Sequence, residues 1–183
     1  MTGNDGARMV ERPGLIERAA VREILMGAQD NLTNVLAVML GVSVGAGRSD
    51  LVALAGLSAA VAEAVSMGGV LYSATRAVDN QHRQSDGVLT DRADGLSPVQ
   101  SGITTFVAAL MGGLVPLAPF AFLPLGPAVA ASVAVSGFAL FALGSWTGRI
   151  SGAVWWRDGV RLLLVAGLAA IAAAAVGTVL RVK

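Results

Sequence analysis

The chain has no cysteine and only one histidine, and each shortage excludes a class of chemistry. Without cysteine there is no disulfide, no thiolate metal site and no cysteine nucleophile. His82 stands alone in a polar stretch, so a histidine-rich metal site is also excluded. No nucleophile–base pair or metal triad is visible in the sequence. We therefore expect that the chain is not an enzyme and holds no resident cofactor.

Charge is also scarce. Charged residues make up 14% of the 183 residues and hydrophobic ones 55%, whereas a soluble domain carries roughly 25% charged residues. The mean hydropathy is +0.69. This composition predicts an all-α, polytopic membrane protein that forms one bundle in a lipid bilayer. The net charge of +1 gives no support to nucleic-acid binding.

Five segments are apolar enough to be transmembrane helices, since about 20 apolar residues cross a hydrocarbon core. We expect spans at about 24–46, 51–74, 99–117, 128–147 and 160–180, with a cytoplasmic loop at 75–97. Residues 99–148 contain no charge and are too long for one span, so they predict a hairpin. Its turn is marked by four prolines: Pro116, Pro119, Pro124 and Pro127.

The distribution of basic residues predicts the orientation. Residues 1–23 mix arginine with glutamate and contain no apolar run, so we expect a cytoplasmic segment and not a signal peptide. With five spans, 10 of the 13 arginines and lysines fall on the N-terminal side and 3 on the other. The positive-inside rule therefore predicts a cytoplasmic N-terminus and an outside C-terminus.

Residues 51–74 form the most informative span, because Glu63 is a charge near its middle. A carboxylate at that depth costs ~2.5–3.5 kcal/mol, so such residues usually have a functional partner. Met67 follows one turn later on the same helical face. In span one, Asp30 and Asn34 lie on a polar stripe. Oxygen ligands with a thioether suit Fe²⁺ or Mn²⁺ better than Mg²⁺ or Ca²⁺.

Simpler interpretations exist for the same residues. Asp30 could be an interfacial cap that accepts a hydrogen bond from a free helix-end amide. Met67 alone is more often a packing residue than a ligand. Glu63 is harder to explain structurally, because no other span has a basic residue in its interior, and Arg161 lies at the very start of span five. Two Glu63 side chains across a dimer axis would repel each other unless a cation or a proton lay between them.

Two stretches of the sequence resemble the vacuolar iron transporter family, membrane proteins that move Fe²⁺ and Mn²⁺ out of the cytosol. They are GAQDNLTNVLAVMLGV at 27–42 and AGLSAAVAEAVSMGGVLYSATRA at 55–77. The five-span layout with a polar loop after span two is also similar. The segment Ser66-Met67-Gly68, with Tyr72 after it, is the most specific signal.

The resemblance implies a homodimer whose ion path runs between the subunits and is lined by spans one and two. Asp30 matches the family's intramembrane aspartate and Met67 its motif methionine. Two features depart from the family: Ala59 stands where its path glutamate usually lies, with Glu63 one turn later, and the loop at 75–97 has no glutamate, whereas characterised members carry a glutamate-rich metal-binding domain there.

We therefore expect a proton-coupled exporter of Fe²⁺ or Mn²⁺, with the metal as substrate. The expected ligands are Asp30, Glu63 and Met67, and Asn34 and Ser66 are secondary polar contacts. The alternative is a non-transporting membrane scaffold on the same fold. The alanine-, arginine- and glycine-rich composition indicates a bacterial cytoplasmic membrane.

Overall fold

The described part of the chain is entirely helical, which confirms the predicted fold class. A computed structural model describes residues 13–85 and 96–181, and within these the side chains of 20–81 and 96–181. It contains five α-helices and one 3₁₀ helix: α1 Pro13–Ala46, α2 Ser49–Ser85, α3 Pro98–Leu114, the 3₁₀ helix Ala118–Ala121, α4 Leu125–Ile150 and α5 Trp155–Val179.

Three of these helices are long and apolar enough to cross a membrane: Ser49–Gln81 within α2, α4 and α5. Helix α3 has 17 residues, and α1 carries Asp30, Asn31 and Asn34 within its apolar part. Both helices still pack against the apolar ones. Long apolar helices of this kind are expected of a membrane protein. The count of five spans and the orientation of the termini stay predictions.

The uncharged stretch at 99–148 folds as the two predicted helices, α3 and α4, with a turn between them, but α3 packs mainly against α1 and α2 and α4 mainly against α5, so the pair is not a closely packed hairpin. Ser97 caps α3 together with Gln100 in a reciprocal capping box, and a proline occupies the first turn. At the other end, Pro116 is buried and its carbonyl accepts a hydrogen bond from Ser132 Oγ at 2.7 Å. Pro124 then starts α4 in an extended conformation. The prolines interrupt the helix because they lack the amide that would continue it.

Two helices extend beyond the apolar segments that the sequence suggested. Helix α1 begins at Pro13, inside the predicted N-terminal segment, and runs into the apolar part without a break. Helix α2 continues to Ser85, well into the predicted loop at 75–97. Residues 1–12 and 86–95 lie outside the described residues.

Helix α1 is central, because it packs against all four other α-helices. Glycines make these contacts close. A Cβ atom on Gly112 of α3 would lie 2.8 Å from the carbonyl carbon of Ala28, and one on Gly41 would lie 2.9 Å from the Ala173 oxygen of α5. Gly45 similarly faces Gly177. The pair Gly41 and Gly45 thus allows the close helix approach that small residues at four-residue spacing permit.

Candidate metal path

The two helices that carry the predicted ligands are joined by a direct hydrogen bond. Asn34 Nδ2 of α1 donates to Glu63 Oε1 of α2 at 2.9 Å, and both side chains are half-buried. The partner of Glu63 in the structure is therefore a neutral amide and not a basic residue. An amide orients one carboxylate oxygen without neutralising its charge, so the carboxylate keeps its capacity to attract a cation.

Asp30 and Met67 lie at one level, next to this hydrogen bond. Helices α1 and α2 are antiparallel, because only Gly47 and Arg48 connect them and Gly47 turns the chain with a φ of +63°. Asp30 precedes Asn34 by one turn, and Met67 follows Glu63 by one turn. In antiparallel helices these two steps run in the same direction. The predicted ligands therefore occupy two adjacent layers of one helix pair.

This helix pair presents its polar residues on the outside of a single chain. Asp30 and Ser66 are exposed, and Asn34, Glu63 and Met67 are half-buried. Asp30 lies in the interior of α1, seventeen residues after Pro13, so it does not cap a helix end and that interpretation is wrong. In the part of the chain that the structure describes, no three of histidine, cysteine, aspartate and glutamate come together. One chain by itself thus offers only part of a coordination shell.

The structure shows a contact between three helices that the sequence did not indicate, made by Asn31 and called here the Asn31 clamp. Asn31 is fully buried, and its Nδ2 donates to the Ala60 oxygen of α2 at 3.0 Å and to the Ala109 oxygen of α3 at 2.8 Å. This amide ties three helices together directly beside Asp30. The recurrence of Gly27 and Asn31 at four-residue spacing, opposite Thr105, Ala109 and Gly113 of α3, is the pattern that signals such a contact.

A second buried polar group lies two turns before Asp30. Glu23 is 8% exposed, and its Oε1 accepts a hydrogen bond from Ser101 Oγ of α3. The sequence analysis assigned Glu23 to the polar N-terminal segment, because it stands among arginines and glutamates. Its burial depends on α3, which the local sequence of α1 does not reveal.

A cavity beside α1 is distinct from these ligands. It has a volume of about 880 Å³ and opens between α1 and the end of α4. Its lining is Val21, Arg22, Leu25, Met26, Gln29, Thr147, Ile150 and Ser151. None of the predicted metal ligands lines it, and its wall is mostly apolar, so it does not provide a cation site.

Comparison with known proteins identifies the family of the chain. The model of the VIT family matches residues 21–86 and 73–178, so its two pieces meet near the end of α2. A protein named vacuolar iron transporter homolog 2, from Oryza sativa subsp. japonica, is 32% identical over 81% of this chain and 84% of its own length.

Two further relatives are named vacuolar iron transporter 1. The one from Arabidopsis thaliana is 25% identical over 84% of this chain and 83% of its own length, and the one from Oryza sativa subsp. japonica is 28% identical over 84% and 82%. These alignments span 207 positions, more than the 183 residues of this chain, so each relative contains a stretch that this chain lacks. The family match covers both helices of the candidate path, and the chain belongs to the VIT family.

Proposed function

We propose that this chain transports Fe²⁺ or Mn²⁺ out of the cytosol in exchange for protons, as a homodimer with the ion path between its subunits. The observation that carries the proposal is the Asn34–Glu63 hydrogen bond, with Asp30 and Met67 one turn away at a common level. Carboxylate, amide and thioether donors in adjacent layers suit a divalent transition metal. The names of the relatives support a metal ion as the substrate.

The positions of the donors support the dimer. They face outward from one chain, and the described residues contain no complete cluster of three acidic or histidine ligands. A two-fold axis beside α1 and α2 would bring a second Asp30, Glu63 and Met67 to the first set. A cation at that axis would also remove the repulsion between the paired carboxylates. The metal is thereby both the substrate and the group that makes the interface favourable.

The relatives are plant proteins named for the vacuole. They give no support to the bacterial cytoplasmic membrane that composition suggested, and the proposal extends only to an integral membrane protein. The loop after α2 lacks the glutamates of a metal-binding domain. Capture of the metal would therefore fall to the α1–α2 ligands themselves.

The test is metal uptake into proteoliposomes that contain a divalent-sensitive dye. Fe²⁺ or Mn²⁺ should quench the dye with the wild-type protein, and Mg²⁺ and Ca²⁺ should not. Glu63→Ala should abolish the uptake, because it removes the carboxylate at the centre of the donor set. Asp50→Ala is the matched control, since Asp50 lies in the same helix but is exposed and pairs with Arg48. A folded wild-type protein that moves no cation would favour the scaffold alternative.

A further inference from the structure

Glu23 is a buried carboxyl group that has a single hydrogen-bond donor among the described residues. It is 8% exposed, and Oε1 accepts a hydrogen bond from Ser101 Oγ. The other oxygen, Oε2, is buried and has no hydrogen-bond partner among the described residues. Glu23 therefore has acceptor capacity that no described residue uses.

Charged groups on the neighbouring helices do not compensate Glu23. Helix α3 contains no titratable residue. Among the described side chains at this end of α2, the titratable residues are Tyr72, Arg76 and Asp79, and Arg76 donates to the Tyr72 hydroxyl at 3.4 Å. On α1, Arg22 is exposed and lines the cavity toward α4. In the part of the chain that the structure describes, the sole donor to Glu23 is therefore the Ser101 hydroxyl.

A chain of hydroxyl groups connects Glu23 to the exposed end of α2. Thr75 Oγ1 donates to Ser101 Oγ at 3.1 Å, and Ser101 donates in turn to Glu23. Thr75 is half-buried, whereas the residues on either side of it, Ala74 and Arg76, are exposed. All the hydrogen bonds point toward the carboxylate. This orientation is the one from which a proton can move inward.

We propose that Glu23 is a proton-binding site, enclosed within each subunit and supplied through Thr75 and Ser101. A hydronium ion in the solvent gives a proton to the Thr75 oxygen and becomes water, Thr75 passes its own proton to Ser101, and Ser101 passes its own to Glu23 Oε1. One O–H bond forms and one breaks at each hydroxyl, and the reverse sequence returns the proton to water. Asp30 is exposed where Glu23 is enclosed, so a metal between the subunits and this proton occupy different environments.

Further buried polar atoms lie near Glu23 in the contact between α1 and α3. One turn beyond Ser101, Thr105 is fully buried and its Oγ1 has no partner among the described residues, and Asn31 Oδ1 is in the same state. Thr105 contacts the backbone of α1 at Gly27, one turn after Glu23. Buried polar atoms without protein partners commonly bind ordered water. The polar interior at α1 and α3 therefore continues from Glu23 toward the level of Asn34 and Glu63.

The use of this proton in exchange rests on the proposed transport, but its binding to Glu23 does not. The first measurement is therefore infrared difference spectroscopy of the full-length protein in lipid. As the pH falls, the wild type should gain the carbonyl band of a protonated carboxyl group, and Glu23→Gln should lose that band. Glu63→Gln and Asp79→Asn are matched controls that should retain it. Persistence of the whole band in Glu23→Gln would overturn the proposal.

The second measurement follows protons and metal together in proteoliposomes with a pH-sensitive dye. Glu23→Gln should bind Mn²⁺ as the wild type does but lose the proton counterflow, and Ser101→Ala should slow the counterflow while the infrared band is retained. Ser101→Ala also serves if Glu23→Gln does not fold. Wild-type metal uptake with no proton movement would overturn the exchange role of Glu23. Absence of all metal uptake would instead count against the proposed transport, and the infrared result would still decide the proton site.

Discussion

At the scale of single residues, the two asparagines in the apolar part of α1, Asn31 and Asn34, have different roles. Asn34 bonds the Glu63 carboxylate on the half-buried face, and Asn31 bonds backbone oxygens of α2 and α3 in the interior. The sequence pattern found Asn34, because it lies on the polar stripe with Asp30. It did not find Asn31, because the partners of Asn31 are carbonyl groups, which every residue has and no sequence motif records.

Replacement of Asn34 should weaken metal binding and leave the fold intact. Removal of a group that orients a metal ligand typically costs about 10–100-fold in metal affinity. We expect a loss of that order for Asn34→Ala in Mn²⁺ binding measured by calorimetry, with thermal unfolding little changed. Asn34→Asp tests the physical reason, because a second carboxylate beside Glu63 would bind cations but repel Glu63 when empty. Wild-type affinity in Asn34→Ala would exclude Asn34 from the path.

Replacement of Asn31 should instead lower the stability of the fold more than it weakens metal binding. Two buried hydrogen bonds between helices are lost in Asn31→Ala, each worth about 0.6–2 kcal/mol in a membrane. Unfolding in detergent should therefore be easier by about 1–4 kcal/mol. Thr33→Ala is the control, because the Thr33 hydroxyl bonds only the Gln29 carbonyl of its own helix. Equal stability of the two variants would contradict the role of Asn31 as a clamp.

At the scale of elements, the sequence predicted the order of helices and turns better than the helix ends. The uncharged run at 99–148 and its prolines correctly indicated α3, the turn and α4. The helical extension of α1 over 14–23 agrees with the sequence pattern, whereas the full extension of α2 to Ser85 was not predicted, because hydropathy reports where a helix leaves the lipid and not where its hydrogen bonds stop. Glu23 and Thr75 belong to these polar parts, and their contacts with α3 are not visible in the local sequence.

The close approach of α1 and α3 at Gly112 should be a sensitive packing position. A methyl group on Gly112 would collide with the backbone of Ala28, which has no flexible end to move aside. Overpacking of this kind costs typically about 1–3 kcal/mol, so Gly112→Ala should lower the unfolding temperature. Gly167→Ala in α5 meets nothing within 4 Å, and it should raise stability by roughly 0.5–1 kcal/mol through helix propensity. A stabilising effect of Gly112→Ala would show that the helices separate in lipid.

At the scale of the whole molecule, the proposed dimer makes a geometric prediction. The chain has no cysteine, so single cysteines can be introduced without background. Ala62→Cys is exposed beside Glu63 and should form a disulfide between two subunits under mild oxidation. Leu168→Cys, on α5 and 69% exposed, is the control that should stay monomeric on a non-reducing gel. The reverse outcome would place the interface on α5 and remove the basis for a path at α1 and α2.

The Asn31 clamp has a consequence for motion. Both of its amide protons are used, one by a carbonyl of α2 and one by a carbonyl of α3. Sliding of α1 along either helix would leave buried polar atoms unpaired, which costs more than the hydrogen bonds themselves. Any alternation between inward-open and outward-open states would therefore carry α1, α2 and α3 together, as one rigid body that rocks against its counterpart. Gating would then occur between the two halves of an assembly and not within either one.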